Sequence, residues 1–169
     1  MRDINLLTIH CSATPNGRWT TTADIDAWHR ERGFKRRPDA VARQNGSLSA
    51  IGYHYVIYTN GAVATGRMPE EIGAHAVEQR ANHRGIGLCV IGTDQFSAEQ
   101  WDCLAAEVVF LCAAFSIPRR FANAGNGYTG VCGHRDLGAK KECPGFSVAD
   151  WLKGGMQPPA GQIYAPGAA

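Results

Sequence analysis

Gly133-His134-Arg135-Asp136-Leu137-Gly138-Ala139-Lys140-Lys141-Glu142-Cys143-Pro144-Gly145-Phe146 sets one histidine and one cysteine on a single short loop, with two lysines just ahead of the cysteine. An imidazole and a thiolate are donors that suit zinc. Two protein ligands rarely complete a zinc site, so the chain is expected to supply a third. The best candidate is His10, in Ile9-His10-Cys11-Ser12-Ala13. Three protein donors with a fourth position open describe a catalytic zinc rather than a structural one. Taken alone, His10 beside Cys11 reads more often as a packed or hydrogen-bonded pair than as a ligand.

Outward from that loop, the local patterns point to a mixed sheet. Val131-Cys132-Gly133 reads as a short strand delivering His134, and residues 5–9 as a buried strand delivering His10. Both candidate donors therefore stand at strand ends, where a side chain is well placed to serve a site. Thr20–Thr22 offer a helix cap, Ile25, Trp28 and Arg32 follow at helical spacing, and Gly33 closes a helix over about 23–32. In that reading Trp28 is core and His29 is surface. Residues 34–50 read as a long polar connection, with Lys35-Arg36-Arg37 as a solvated basic run. Residues 51–58 alternate as a strand, Tyr53, Tyr55 and Ile57 against His54, Val56 and Tyr58. Asn60-Gly61 marks a hairpin returning through 62–65. Asn82–Gly85 reads as a turn and 87–92 as a buried strand. Ser97 with Gln100 fits a capping box, and apolar residues from Trp101 to Phe115 recur at helical spacing, so 98–115 is the firmest helix. Ser147 caps a short helix over 148–152. From residue 154 the composition turns to Gly, Pro and Ala, which predicts a poorly ordered tail over 154–169. The expected class is α/β: a central mixed β-sheet flanked by helices, in a single domain over 1–153.

Composition bounds the function. A chain of 169 residues buries a sizeable core without disulfides, so the six cysteines are expected to be free. The net charge of +2 is too mild to argue for nucleic acid or a membrane surface. No apolar run reaches the ~20 residues that span a bilayer, so no membrane insertion is expected. The N-terminus shows no apolar region of the signal-peptide kind, which predicts synthesis in the cytoplasm. A monomer is expected.

Zinc held by two imidazoles and a thiolate polarises a carbonyl and activates water, so the reaction implied is hydrolysis of an amide or ester. No His-Glu-x-x-His helix of the metalloprotease kind is present. Lys141 can set an ammonium near the metal, and Tyr53 can offer a phenol. By residue type alone, Tyr53 is an ordinary strand aromatic and Lys141 a surface lysine.

Five ordered motifs change that balance. Ile9-His10-Cys11-Ser12-Ala13-Thr14, Gly52-Tyr53-His54-Tyr55, Gly73-Ala74-His75-Ala76, Asn82 with Ile86-Gly87, and Gly133-His134-Arg135-Asp136 with Lys141-Glu142-Cys143-Pro144-Gly145-Phe146 occur in this order. Together they resemble the zinc-dependent N-acetylmuramoyl-L-alanine amidases of the type-2 amidase family, which includes phage lysozymes and the peptidoglycan recognition proteins. The likeness spans roughly residues 5–152. It implies one catalytic Zn2+ on His10, His134 and Cys143, with Tyr53 and Lys141 as catalytic groups and His75 as a residue of the substrate groove. The loop from His134 to Cys143 is about one residue longer than in the phage members, which leaves Lys140 as the alternative to Lys141. The implied partner is peptidoglycan, cut between the lactyl group of N-acetylmuramic acid and L-alanine. A phage or prophage endolysin, or an amidase acting on wall fragments in the cytoplasm, reconciles that substrate with the N-terminus. Two other classes stand beside it. A non-catalytic peptidoglycan-binding module of the same fold would lack the cysteine ligand. A structural zinc or redox domain would need a closed four-ligand site, and no Cys-x-x-Cys supports one.

Overall fold

The computed structural model describes residues 2–165. Its spine is β1 (Leu6–Cys11), buried along its whole length. On one side β1 pairs in parallel with β4 (Gly85–Val90), and on the other with β5 (Gly130–Gly133). Strand β2 (Tyr55–Ile57) adds in parallel to β4, and β3 (Val63–Thr65) closes that edge antiparallel. The order is β3-β2-β4-β1-β5, a mixed five-stranded sheet. Parallel strands buried on both faces read as continuous apolar runs, which is the pattern of 6–9 and 86–91.

Helices cover the sheet. Helix α4 (Ala98–Ala114) starts at Ser97, whose hydroxyl accepts from Gln100 N–H while the Gln100 side chain accepts from Ser97 N–H. Trp101, Leu104, Val108 and Leu111 of α4 pack against Leu7, Ile9, Leu88 and Val90. Each such buried side chain contributes about 1.5–3 kcal/mol relative to exposure. Because side chains alternate across a strand, Leu6, Thr8 and His10 face the other way. That second face is covered by α1 (Thr22–Glu31), α3 (Ala81–Arg84) and the loops between the strands. The short α5 (Val148–Lys153) is capped by Ser147 and packs on the α4 side. All six cysteines are free.

Several expectations fail, each for a physical reason. On α1 the buried residues are Ile25, Asp26 and His29, while Trp28 is 37% exposed. The Asp26 carboxylate accepts from the N–H groups of Ala50 and Ile51 at 2.6 and 2.7 Å, and His29 Nδ1 accepts from Gly52 N–H at 2.9 Å. Polar side chains that satisfy buried backbone donors roll the helix away from its apolar face. The connection 34–50 contains a helix, α2 (Pro38–Arg43), laid around a buried Arg36. Arg36 pairs with Glu71 at 2.6 Å and donates to the carbonyl of Leu48 at 2.7 Å, so the middle of the basic run is interior. Residues 51–54 are not regular strand, and 82–84 are helical rather than a simple turn. The tail is docked through Tyr164: Phe96 and Ile163 form a bridge, Tyr164 N–H donates to Phe96 O at 2.8 Å, and the Trp101 indole donates to Gln162 O at 3.0 Å. A buried indole N–H needs an acceptor, and this segment supplies it. Residues 166–169 of the expected tail lie outside the described residues.

The buried imidazoles set a pH dependence. Gly52 N–H donates to His29 Nδ1, and Gly87 N–H donates to His54 Nδ1 at 2.9 Å, so neither acceptor nitrogen carries a proton. Burial first, then Arg32 and Arg67, pulls His29 from 6.5 to about 4. Burial pulls His54 to about 3, against the raising effect of the Glu71 carbonyl. Below 6.5 the unfolded chain takes up protons that the folded chain refuses, so stability is lost as pH falls from 6.5 toward 4. Urea midpoints are expected to be lower at pH 5 than at pH 7.5. His29→Asn should flatten that slope even where it lowers stability throughout; an unchanged slope would contradict this account.

Candidate metal centre and cleft

The parallel register builds the site. Ile9 on β1 pairs with Gly133 on β5, so His10 and His134 are the next residues along two adjacent strands. Their rings lie 4.7 Å apart, centroid to centroid. A 3-10 turn over His134–Leu137 follows β5, held by Asp136 accepting from Gly133 N–H at 2.7 Å. The loop then returns so that Cys143 Sγ accepts from Cys11 N–H at 3.3 Å and lies 3.8 Å from His10 Nδ1. The three donor atoms of His10, His134 and Cys143 all fall within 4.8 Å of one another. Tetrahedral zinc with bonds near 2.0–2.3 Å needs donors roughly 3.5 Å apart, so this set fits with small adjustments.

The far edge of each imidazole is already engaged. His10 Nε2 lies 3.0 Å from His75 Nδ1, and His134 Nε2 lies 3.3 Å from Glu78 Oε2. That leaves Nδ1 on both rings as the available donor. With Nδ1 of His10 as donor, its Nε2–H donates to His75, and His75 keeps its own proton on Nε2. That Nε2 is buried with no hydrogen-bond partner. Burial, then His134 and Lys141, holds His10 well below the usual imidazole range, so it presents a neutral lone pair. Burial also lowers His134, opposed by Glu78. The neighbouring Cys11 thiol and burial push the Cys143 thiol up. A cation shared among the three would offset that cost and stabilise the thiolate.

The three donors open into a cleft of about 870 Å³. Tyr53 stands beside them, its ring 5.1 Å from His10 and 5.3 Å from His29. It packs with Val56 and Cys89, whereas Tyr55 and Ile57 pack on the α4 side. The expected alternation, with Tyr53 on the face of Tyr55, therefore fails: 52–54 leaves the strand and brings the phenol to the cleft. Burial raises the Tyr53 phenol well above 10, so it is protonated at neutral pH. His54 stays out of the cleft lining. Lys141 lines the cleft and Lys140 does not. His75 also lines it, but with Nδ1 on His10 and Nε2 buried, its polar atoms are turned from the space a substrate would enter.

Supporting residues explain the remaining motifs. The Asn82 side chain accepts from the N–H groups of His75 and Ala76 at 2.7 and 2.9 Å, which fixes the loop carrying His75. A Cβ on Gly87 would lie 2.5 Å from His75 Cδ2 and Cγ, so only glycine lets the imidazole lie against β4. Gly87→Ala is expected to displace His75 and weaken zinc binding about 10–100-fold, read by chelator competition, as loss of a ligand's supporting partner does. Unchanged affinity would show that His75 does not hold His10. Sequence reasoning missed His29, Arg32, Phe34 and Glu78, all of which line the cleft. An inward-facing His29 had a legible signal, since it stands four residues from Ile25. Glu78 had none.

Known proteins share this sequence pattern and this fold. The family model described as N-acetylmuramoyl-L-alanine amidase matches residues 1–146. The endolysin of Escherichia phage T7 is 28% identical over 153 residues, covering 85% of this chain and 82% of its own. The endolysin of Klebsiella phage KP32 is 26% identical, with the same coverage. Among solved structures, the N-acetylmuramoyl-L-alanine amidase LysC from Clostridium intestinale superposes with a TM-score of 0.67 at 23% identity, covering 92% of this chain and 86% of that one. Drosophila PGRP-LB superposes with a TM-score of 0.63 at 21% identity, covering 100% and 88%. At these identities, the two structures show a shared fold.

Proposed function

The chain belongs to the N-acetylmuramoyl-L-alanine amidase family, and from that we propose that it is a zinc-dependent amidase of endolysin type. The bond cut in this reading joins the lactyl group of N-acetylmuramic acid to L-alanine in peptidoglycan. The observation that carries it is the meeting of His10, His134 and Cys143 in one cleft with Tyr53 beside them. Zinc held there would supply Lewis acidity, enough to polarise a carbonyl and lower the pKa of a water toward ~7. His10 and His134 offer Nδ1, and Cys143 offers Sγ. Tyr53 keeps its proton and orients the attacking water through its hydroxyl. The Lys141 ammonium stabilises the negative charge that develops on the lactyl oxygen. As the C–N bond breaks, the proton given up by the attacking water passes to the L-alanine nitrogen, which leaves as the neutral amine. The domain is 1–153 with the segment after it docked, and it acts on the wall once it reaches it, or on wall fragments in the cytoplasm.

A defined muropeptide tests the bond assignment. New amino termini should be L-alanine, with no new reducing sugar ends. Reducing ends would make the chain a glycosidase and overturn the reading. A non-catalytic peptidoglycan-binding module of the same fold is the second reading. Binding of the muropeptide without new termini would favour it.

A further inference from the structure

The segment Val77–Arg80 crosses the cleft rim in an unusual conformation. Gln79 and Arg80 have φ of 51° and 57°, two successive non-glycine residues in the left-handed region. Such backbone is sparsely populated and persists only where its surroundings impose it; it gathers at functional sites. Here the surroundings are visible. The Gln79 side chain donates to Leu137 O at 3.3 Å, tying the segment to the 3-10 turn that begins at His134. Asn82, after the segment, accepts from the N–H groups of His75 and Ala76 just before it, which pins the two ends together. The result of this turn is that Glu78 Oε2 faces His134 Nε2 at 3.3 Å. The carboxylate makes no other side-chain hydrogen bond among the described residues. Its side chain is 30% exposed, and that of His134 is 9% exposed.

We propose that Glu78 is a positioning residue that fixes the ring orientation and tautomer of His134, presenting Nδ1 as a metal donor. The proposal rests on the metal reading of the cleft. Glu78 meets the ring edge opposite Nδ1, so the imidazole stands between the carboxylate and the point the three donors share. That placement suits orientation of a ligand rather than proton transfer to a substrate. A carboxylate on the distal nitrogen holds the proton there, leaves the proximal nitrogen free, and makes it a better donor. The arrangement parallels His10, whose distal nitrogen is held by His75, so each imidazole donor has its own fixed partner.

The test measures zinc affinity by chelator competition in the wild type, Glu78→Ala and Glu78→Gln, with kcat and KM taken at saturating zinc. Glu78→Ala is expected to bind zinc about 10–100-fold more weakly, with KM unchanged. Glu78→Gln keeps the size and an acceptor but not the charge, and should lose less. Nitrogen-15 imidazole spectra of zinc-loaded protein should show the His134 Nε2–H protected from exchange in the wild type and exposed in Glu78→Ala. Wild-type zinc affinity in Glu78→Ala overturns the proposal, as does a raised KM at unchanged affinity, which would make Glu78 a substrate contact. If Glu78→Ala fails to fold, Glu78→Gln decides: a measurable loss supports the role and none overturns it. A wild type that binds no zinc defeats the metal reading itself, a result distinct from these.

Discussion

Cys143→Ser is expected to lose both the metal and the reaction. A serine hydroxyl stays neutral where a thiolate would be charged, and it is a poor zinc donor. With His10 and His134 left as the remaining pair, zinc occupancy should collapse at micromolar metal. Losing a Lewis acid worth several kcal/mol should lower turnover on the order of 10³-fold or more. The fold should survive, because Cys143 is only partly buried and sits on a loop. Cys103→Ser is the control: that residue packs on the α4 side of the sheet, away from His10, and should keep its zinc. Metal analysis of the purified variants reads the result. Full zinc in Cys143→Ser would remove it from the ligand set.

Tyr53→Phe is expected to separate chemistry from metal binding. The substitution keeps the ring that packs 5.1 Å from His10 and 5.3 Å from His29, and removes only the hydroxyl. Zinc content and affinity should match the wild type. Turnover should fall about 10²-fold or more, the usual contribution of a positioned proton-handling group. Because the phenol is protonated at neutral pH, the loss should appear in kcat rather than as a shift of a rate optimum across pH 6–9. Wild-type turnover in Tyr53→Phe would show that the hydroxyl has no part in the reaction.

The three candidate donors were legible because they sit where the sequence has strong local grammar. His10 and His134 each follow a continuous apolar run, and a parallel register of such runs brings their ends together. Cys143 follows the second run by a short loop. What holds those donors was not legible. The contact of His134 with Glu78 depends on a left-handed turn at Gln79 and Arg80, and neither residue announces it as glycine or asparagine would. His29 and Trp28 were exchanged because helical spacing from Ile25 admits either, and hydrophobicity favoured the tryptophan. The structure prefers His29 because its imidazole satisfies Gly52 N–H in the interior. Arg36 was hidden inside a basic run, since its partner Glu71 is remote in sequence. Tyr53 was placed on the wrong face by strict alternation, which holds only over Tyr55–Ile57. For His134, His29 and Arg36 a buried polar group found a distant partner, which apolar periodicity cannot report.

The most direct test of the zinc amidase account is mass analysis of fragments from purified peptidoglycan, incubated with zinc-loaded protein and with a chelated, then re-zincated, control. The account predicts free stem peptides beginning at L-alanine from the zinc-loaded protein, none after chelation, and their return when zinc is restored. Release that continues undiminished in chelator, or no release by zinc-loaded protein, would contradict it.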